Sequence, residues 1–374
     1  MAGAELTLLL DRRDMRVRLD GRALRIERAG IAVARVPLGV LGSVIVHGSP
    51  LVSCDVWRAL AERNVPAVLL PARGRGSAAC LSTAFSNTIR LRRRQHRAAS
   101  RPDLRLAVAR RLVELKIRAQ RQLLAQLSGR AGTAGAEPPT GLASSRAEVL
   151  SVFDRNLAAM AEVGNTAGLM GLEGATAAAW WGWLAAVLPK RWRFTARNRR
   201  PPRDPVNALL SLGYTLLGAE MLRQVHADGL DPALGFLHGI VPGRESLVLD
   251  LIEPLRPSID AFILDLLDQV LVPRHFTFGR EDGCRLNKDG RSLFYQAWAV
   301  RRGAWLDLWP SREGPTGGTP TVIPLDAEQA AARGPEEGPE PEDTASLPGQ
   351  CRRIARMLRT LLDLMDLPED AVDG

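Results

Sequence analysis

Cysteine is scarce and scattered: Cys54, Cys80, Cys284 and Cys351 include no CxxC pair. Such spacing offers neither a disulfide scaffold nor a cysteine zinc site, and it suits a reducing cytoplasm. Phosphate-cradling glycine loops are missing as well. Neither GxGxxG nor GxxxxGKS follows a predicted strand, so nothing supports a nucleotide cofactor. Within the most apolar stretch Gly174 to Leu188 is uncharged, but its 15 residues fall short of the ~20 that a membrane-spanning helix needs. The N-terminus, MAGAELTLLLDRRD, follows its five-residue apolar run at once with charge, unlike a secretory leader. The expected location is therefore the cytoplasm. With two tyrosines and eight phenylalanines, a base-stacking platform is not expected. No internal repeat is visible.

Acid is what the basic segments lack. The chain of 374 residues carries a formal net charge of +9, a balance that points to a polyanionic partner, nucleic acid ahead of membrane. One concentration lies in IRLRRRQHRAAS, with Arg90, Arg92, Arg93, Arg94 and Arg97 on a predicted helix. The other is KRWRFTARNRRPPR, with Lys190, Arg191, Arg193, Arg197, Arg199, Arg200 and Arg203: seven cations in fourteen residues and no acid. A merely solvated charged face normally includes compensating acids. Arginines at this density hold phosphates and carry little base information.

Residues 1 to about 85 read as β-rich. LTLLL, RVRLDG-RALRIE and GIAVARVPL are short, branched or alternating, and Asp20-Gly21 signals a hairpin. VLGSVIVHGS adds a strand, CDVWRALAERN a helix and VPAVLLP a buried strand. From Asn87 the period becomes helical, with further helices expected over 145–162, 174–188, 205–227, 232–238, 246–270 and 288–301. Asp204-Pro205 and Asp231-Pro232 each place a carboxylate N-cap before a proline at the first helical position. Residues 309–349, rich in Pro, Gly and acid, read as a flexible segment, followed by a basic amphipathic helix in CRRIARMLRTLLDLM. The expected architecture is α+β: a small β-rich N-terminal domain (1–85), a larger all-α catalytic domain (86–308), the flexible segment (309–349), and a C-terminal basic helix and tail (350–374).

Three places carry candidate chemistry. Glu173 is the single charge in AGLMGLEGATAAAWWGWLAAVLP, residues 167–189, and a buried isolated carboxylate is costly unless paired or ligating. A plainer reading makes it a helix N-cap neighbour or a solvated edge. His238 ends GLDPALGFLH, where a hydrogen-bonded core histidine is the plainer reading. Asp250 and Glu253 in SLVLDLIEPLRP are three apart, neighbours on one helical face; the wet stripe of an amphipathic helix would look the same. Taken together, two carboxylates and an imidazole suit Mg²⁺ or Mn²⁺, the imidazole tilting the choice toward Mn²⁺. Such an ion polarises a phosphodiester and helps deprotonate an attacking hydroxyl.

Four ordered motifs, GLEGATAAAWW, RRPPRDPVNALLSLGYTLL, GLDPALGFLHG and SLVLDLIEPLRP, resemble the CRISPR-associated endonuclease that inserts new spacers, the larger of the two core adaptation proteins. IRLRRRQHRA, KIRAQRQLL and GSPLVSCDVWRALAERNVPAVLL extend the similarity across nearly the whole chain outside 309–349, a segment longer than the family pattern. The resemblance implies a β-rich N-terminal domain and an all-α catalytic domain. It also implies a divalent metal, Mg²⁺ or Mn²⁺, held by Glu173, His238 and Glu253. Asp250 in the neighbouring acidic position would support the site or bind a second ion. The implied partners are a homodimer, a small ferredoxin-like adaptation protein, and double-stranded DNA, both protospacer and CRISPR repeat; no membrane is implied. The implied activity is metal-dependent endonuclease and integrase chemistry, a 3′-hydroxyl attacking a phosphodiester. Two rivals are a stand-alone DNA nuclease or transposon-type integrase of the same fold, and a non-catalytic DNA-binding scaffold.

Overall fold

The structure is a computed structural model that describes residues 6–63, 65–71, 78–81, 89–127, 146–199, 201–281, 283–309, 345–365 and 367. Most of the Pro/Gly/acid segment, 310–344, and Arg200 lie outside those residues.

Six short strands open the chain: β1 (Leu6–Leu10), β2 (Met15–Asp20), β3 (Ala23–Arg28), β4 (Ile31–Pro37), β5 (Leu41–His47) and β6 (Leu51–Val52). Helix α1 (Cys54–Glu62) and strands β7 (Ala67–Leu70) and β8 (Ala79–Leu81) complete this region. They form two sheets, ordered β1-β5-β7-β8 and β4-β3-β2-β6. The β2–β3 hairpin closes at the expected Asp20-Gly21, with Asp20 opposite Ala23 and Gly21 at a φ of +59°, where glycine lacks the Cβ penalty. Strand β5 is buried along nearly its whole length because both of its faces are covered. Val44 and Val46 pack into the β-domain core, while Ile45 between them joins the helical core. That period-two division is how one strand serves two cores.

The larger region is mainly helical: α2 (Ile89–Ser100), α3 (Pro102–Leu127), α4 (Arg146–Ala159), α5 (Thr166–Val187), α6 (Pro205–Ala227), α7 (Ser246–Ile252), α8 (Arg256–Gln269), α9 (Lys288–Gly303) and α10 (Leu347–Leu364). Within it, β9 (Phe276–Gly279) and β10 (Gly283–Leu286) form a short antiparallel hairpin between α8 and α9. Helix α3 runs through the core; Val108, Leu112, Ile117 and Leu124 on it are fully buried. The expected Asp204 cap is present, its Oδ1 accepting from the Asn207 N–H at 2.9 Å before Pro205.

Three expectations change. Helix α5 starts at Thr166, capped by Asn165, so Glu173 sits two turns inside a helix and not at its edge. The helix expected over 246–270 is broken by a 3₁₀ turn at Glu253–Leu255, where Pro254 and Pro257 remove backbone donors. The helix expected over 232–238 is absent and turns replace it. Its backbone N–H groups are drawn instead to Asp250, as described below. The last helix begins at Leu347 and is a core element: Leu347, Cys351, Ile354 and Leu358 are fully buried.

Candidate active site

Helix α3 delivers a lysine to the place where two carboxylates meet. Lys116 Nζ donates to Glu253 Oε2 at 2.6 Å and to Glu173 Oε1, joining α3, α5 and the 3₁₀ turn after α7. Lys116 is 6% exposed and Glu253 4%, whereas the Glu173 side chain is 24% exposed and faces the open side. The other Glu253 oxygen, Oε1, pairs with Arg256 Nε at 3.0 Å. Burial by itself would raise the Glu253 pKa, but the Arg256 and Lys116 charges, the Lys116 hydrogen bond and nearby His238 outweigh it and hold the carboxyl down at about 2. Glu253 is thus ionised throughout the physiological range.

Asp250 organises the loop before it. Its Oδ2 accepts from the backbone N–H groups of Phe236 at 2.5 Å and Leu237 at 2.9 Å. Its Oδ1 accepts from the His238 N–H at 2.9 Å and meets His238 Nδ1 at 2.6 Å. A carboxylate has no proton to give, so Nδ1 is the donor and Nε2 of a neutral ring keeps its lone pair. This is the carboxylate–imidazole pairing that orients metal-binding histidines. Four donors occupy the two oxygens of a fully buried Asp250, which ties it to His238 and to the loop before it. The chain must approach closely here: a Cβ at Gly235 would lie 2.7 Å from Asp250 Oδ2 and 2.9 Å from the His238 carbonyl.

Behind Arg256 lies a buried polar layer that the sequence reading missed. The Arg256 guanidinium sits 4.7 Å from the centre of the Tyr214 ring. Tyr214 donates through its hydroxyl to Asp260 Oδ1, and Trp180 Nε1 donates to Asp260 Oδ2 at 2.9 Å. Lys116 was also missed, although a signal existed: only three lysines, at 116, 190 and 288, stand among 50 basic residues.

Among the described residues, no three His, Cys, Asp or Glu side chains converge closely enough to hold a metal ion as they stand. The donor chemistry nevertheless fits a hard divalent cation. Glu173 and Glu253 already share one cationic group, and His238 has its Nδ1 fixed by a carboxylate.

The predicted phosphate-binding cations divide. Arg90, Arg93, Lys190, Arg191, Arg193, Arg199 and Arg203 are exposed, and Arg97 is half-buried. Three others are held by the protein itself. Arg92 Nε donates to the Gly229 carbonyl at 3.0 Å, and Arg94 Nη2 donates to the Leu362 and Met365 carbonyls at 2.7 and 3.0 Å. Arg197 Nη1 donates to Asn207 Oδ1 at 2.7 Å. Charge density in sequence does not separate these inward arginines from outward ones, because long side chains reach backbone carbonyls far along the chain.

The sequence profile described as CRISPR associated protein Cas1 matches residues 8–300, which contain every site residue named above. A CRISPR-associated endonuclease Cas1 of Thermodesulfovibrio yellowstonii is 31% identical over 293 residues, 77% of this chain and 89% of the relative. One from Rhodospirillum rubrum is 35% identical over 296 residues, 76% of this chain and 83% of the relative. Among solved structures, a Cas1 protein from Thermotoga maritima superposes with a TM-score of 0.71 at 18% identity, covering 98% of this chain and 99% of that one. A casposase bound to integration product gives 0.72 at 20% identity, over 97% and 92% of the two chains. The chain belongs to the Cas1 family of CRISPR-associated endonucleases.

Proposed function

We propose that this protein is a divalent-metal-dependent DNA integrase of CRISPR adaptation, inserting short fragments into the repeat array. A fragment's 3′-hydroxyl attacks a repeat phosphodiester, the new ester replaces the old one, and the displaced 3′-oxygen takes up a proton. No NTP is consumed, in keeping with the missing phosphate-binding loop. The observation that carries this reading is the meeting of Glu173 and Glu253, from separate elements, on one buried cation.

Glu173, Glu253 and His238 would hold Mg²⁺ or Mn²⁺. When bound, such an ion supplies a Lewis acid for a phosphate oxygen and lowers the pKa of an attacking hydroxyl. The protein's own contribution is order. Asp250 fixes the His238 tautomer, and Arg256 keeps Glu253 ionised and oriented. Lys190, Arg191, Arg193, Arg199 and Arg203 position DNA through its phosphates without reading sequence. A homodimer and a small ferredoxin-like partner complete the assembly. The nearly fully exposed edge strand β4, which carries Ile31 at 70% and Val33 at 55% exposure, supports pairing of copies.

The test uses full-length protein, the small partner, Mn²⁺, a repeat plasmid and fragments ending in either a 3′-hydroxyl or a 3′-dideoxy group. Joining is expected only with the hydroxyl, and is expected to vanish in Glu173→Gln while DNA retention on filters persists. Undiminished joining by that variant, or joining of the dideoxy fragment, would overturn the reading.

A further inference from the structure

The geometry points to Lys116 as a built-in exchange cation: its ammonium holds Glu173 and Glu253 together in the ion-free protein and leaves when a divalent ion enters. This inference rests on the metal reading above. The Lys116 amine is bonded to both carboxylates at once, so a metal ligated by those carboxylates has to compete with it for their oxygens.

Charge balance gives the reason for an exchange and against simple addition. In the ion-free site, two carboxylates face two cations, Lys116 and Arg256. A divalent ion simply added raises the site's charge by two in a largely buried place, where like charges repel strongly. With the ammonium gone the rise is one charge, which a single DNA phosphate offsets. Ion and phosphate therefore favour each other's binding.

Of the two cations on Glu253, only Lys116 is built to leave. Arg256 is held by its ion pair with Oε1 and by the Tyr214 ring beneath its guanidinium. Lys116 is a compact charge on a flexible four-carbon stem, in a chain where arginine fills nearly every other cationic position. The exposed flank of Glu173 offers the stem a way to carry its charge into water while its methylenes stay buried.

The test uses metal-free full-length protein titrated with Mn²⁺ alone, the free ion being counted by its paramagnetic resonance signal. Lys116→Met is expected to bind Mn²⁺ roughly tenfold or more tightly than wild type, the scale of one unit charge removed from a few ångströms away. Its melting temperature without metal should fall, and the rise on adding Mn²⁺ should exceed that of wild type. Lys116→Arg, which keeps the charge, should not share the gain in affinity. Labelling in the wild type avoids any folding defect: acetylation of Lys116 by acetic anhydride, followed by mass spectrometry, should increase several-fold with Mn²⁺ while Lys190 stays constant. If wild type binds Mn²⁺ but the Met variant binds no tighter, or Lys116 labelling does not change, the exchange is overturned and the metal reading stands. If neither protein takes up Mn²⁺, the metal reading falls and the exchange with it.

Discussion

A carboxylate can be buried for opposite reasons, and this protein holds two such groups, Glu253 and Asp260. Glu253 is kept charged by cations at about 2. Asp260 goes the other way: desolvation pushes its pKa up to about 6, against hydrogen bonds from Tyr214 and Trp180 and the attraction of Lys116 and Arg256. An acid with a raised folded pKa binds a proton that the unfolded chain has already released, so stability falls as pH rises from its ordinary 3.8 to about 6. Asp260→Asn removes that dependence. The variant's stability relative to wild type should therefore climb between pH 4 and pH 7, by at most about 3 kcal/mol from a two-unit shift. Urea unfolding at several pH values checks it; a difference that stays constant with pH would mean Asp260 is ionised as readily in the fold as out of it.

At the scale of elements, regular helices and caps were legible, and the polar contacts between distant residues were not. Asp204-Pro205 announced α6 correctly because capping is local: the bond closes three residues away. Asp231-Pro232 carries the same signal, yet no helix follows, because Asp250 captures the N–H groups of residues 12 to 14 positions before it. Glu173, His238 and Glu253 were legible as residue types in ordered motifs. Lys116, which bridges two of them, is marked only by the scarcity of lysine in the chain, since nothing local distinguishes a lysine facing inward from an arginine-rich helix. The final helix reads as basic and amphipathic, and α10 does bury its apolar face; what no local pattern marks is that Arg94 caps its C-terminal carbonyls. Arg94→Met should therefore lower stability by about 2–3 kcal/mol, the worth of charge-assisted bonds to carbonyls that would otherwise be unmet. Chemical denaturation measures it, and a variant as stable as wild type would show that water replaces the guanidinium at no cost.

Over the whole molecule, the sheets and helices are joined by buried polar contacts as well as apolar ones. His47 Nδ1 meets the Tyr295 hydroxyl at 3.0 Å, and Arg302 bridges Glu220 and the Gly42 carbonyl. Net charge acts at this scale too, and what matters is how many cations face outward. Arg199 and Arg203 are exposed, whereas Arg94 is turned inward. Each phosphate contact releases close to one counterion, so the slope of log affinity against log salt counts the contacts made. Arg199→Ala/Arg203→Ala should reduce that slope by about 2 and weaken binding alike on every duplex sequence. Arg94→Met, which removes the same type of charge, should leave the slope at its wild-type value below the melting temperature. Titrations of a fluorescent duplex from 50 to 200 mM salt, the range over which ~6–10 phosphate contacts cost several decades of affinity, separate the two. A slope that falls equally in both variants would mean that total charge governs binding, and a flat wild-type dependence would remove the exposed arginines as the DNA surface.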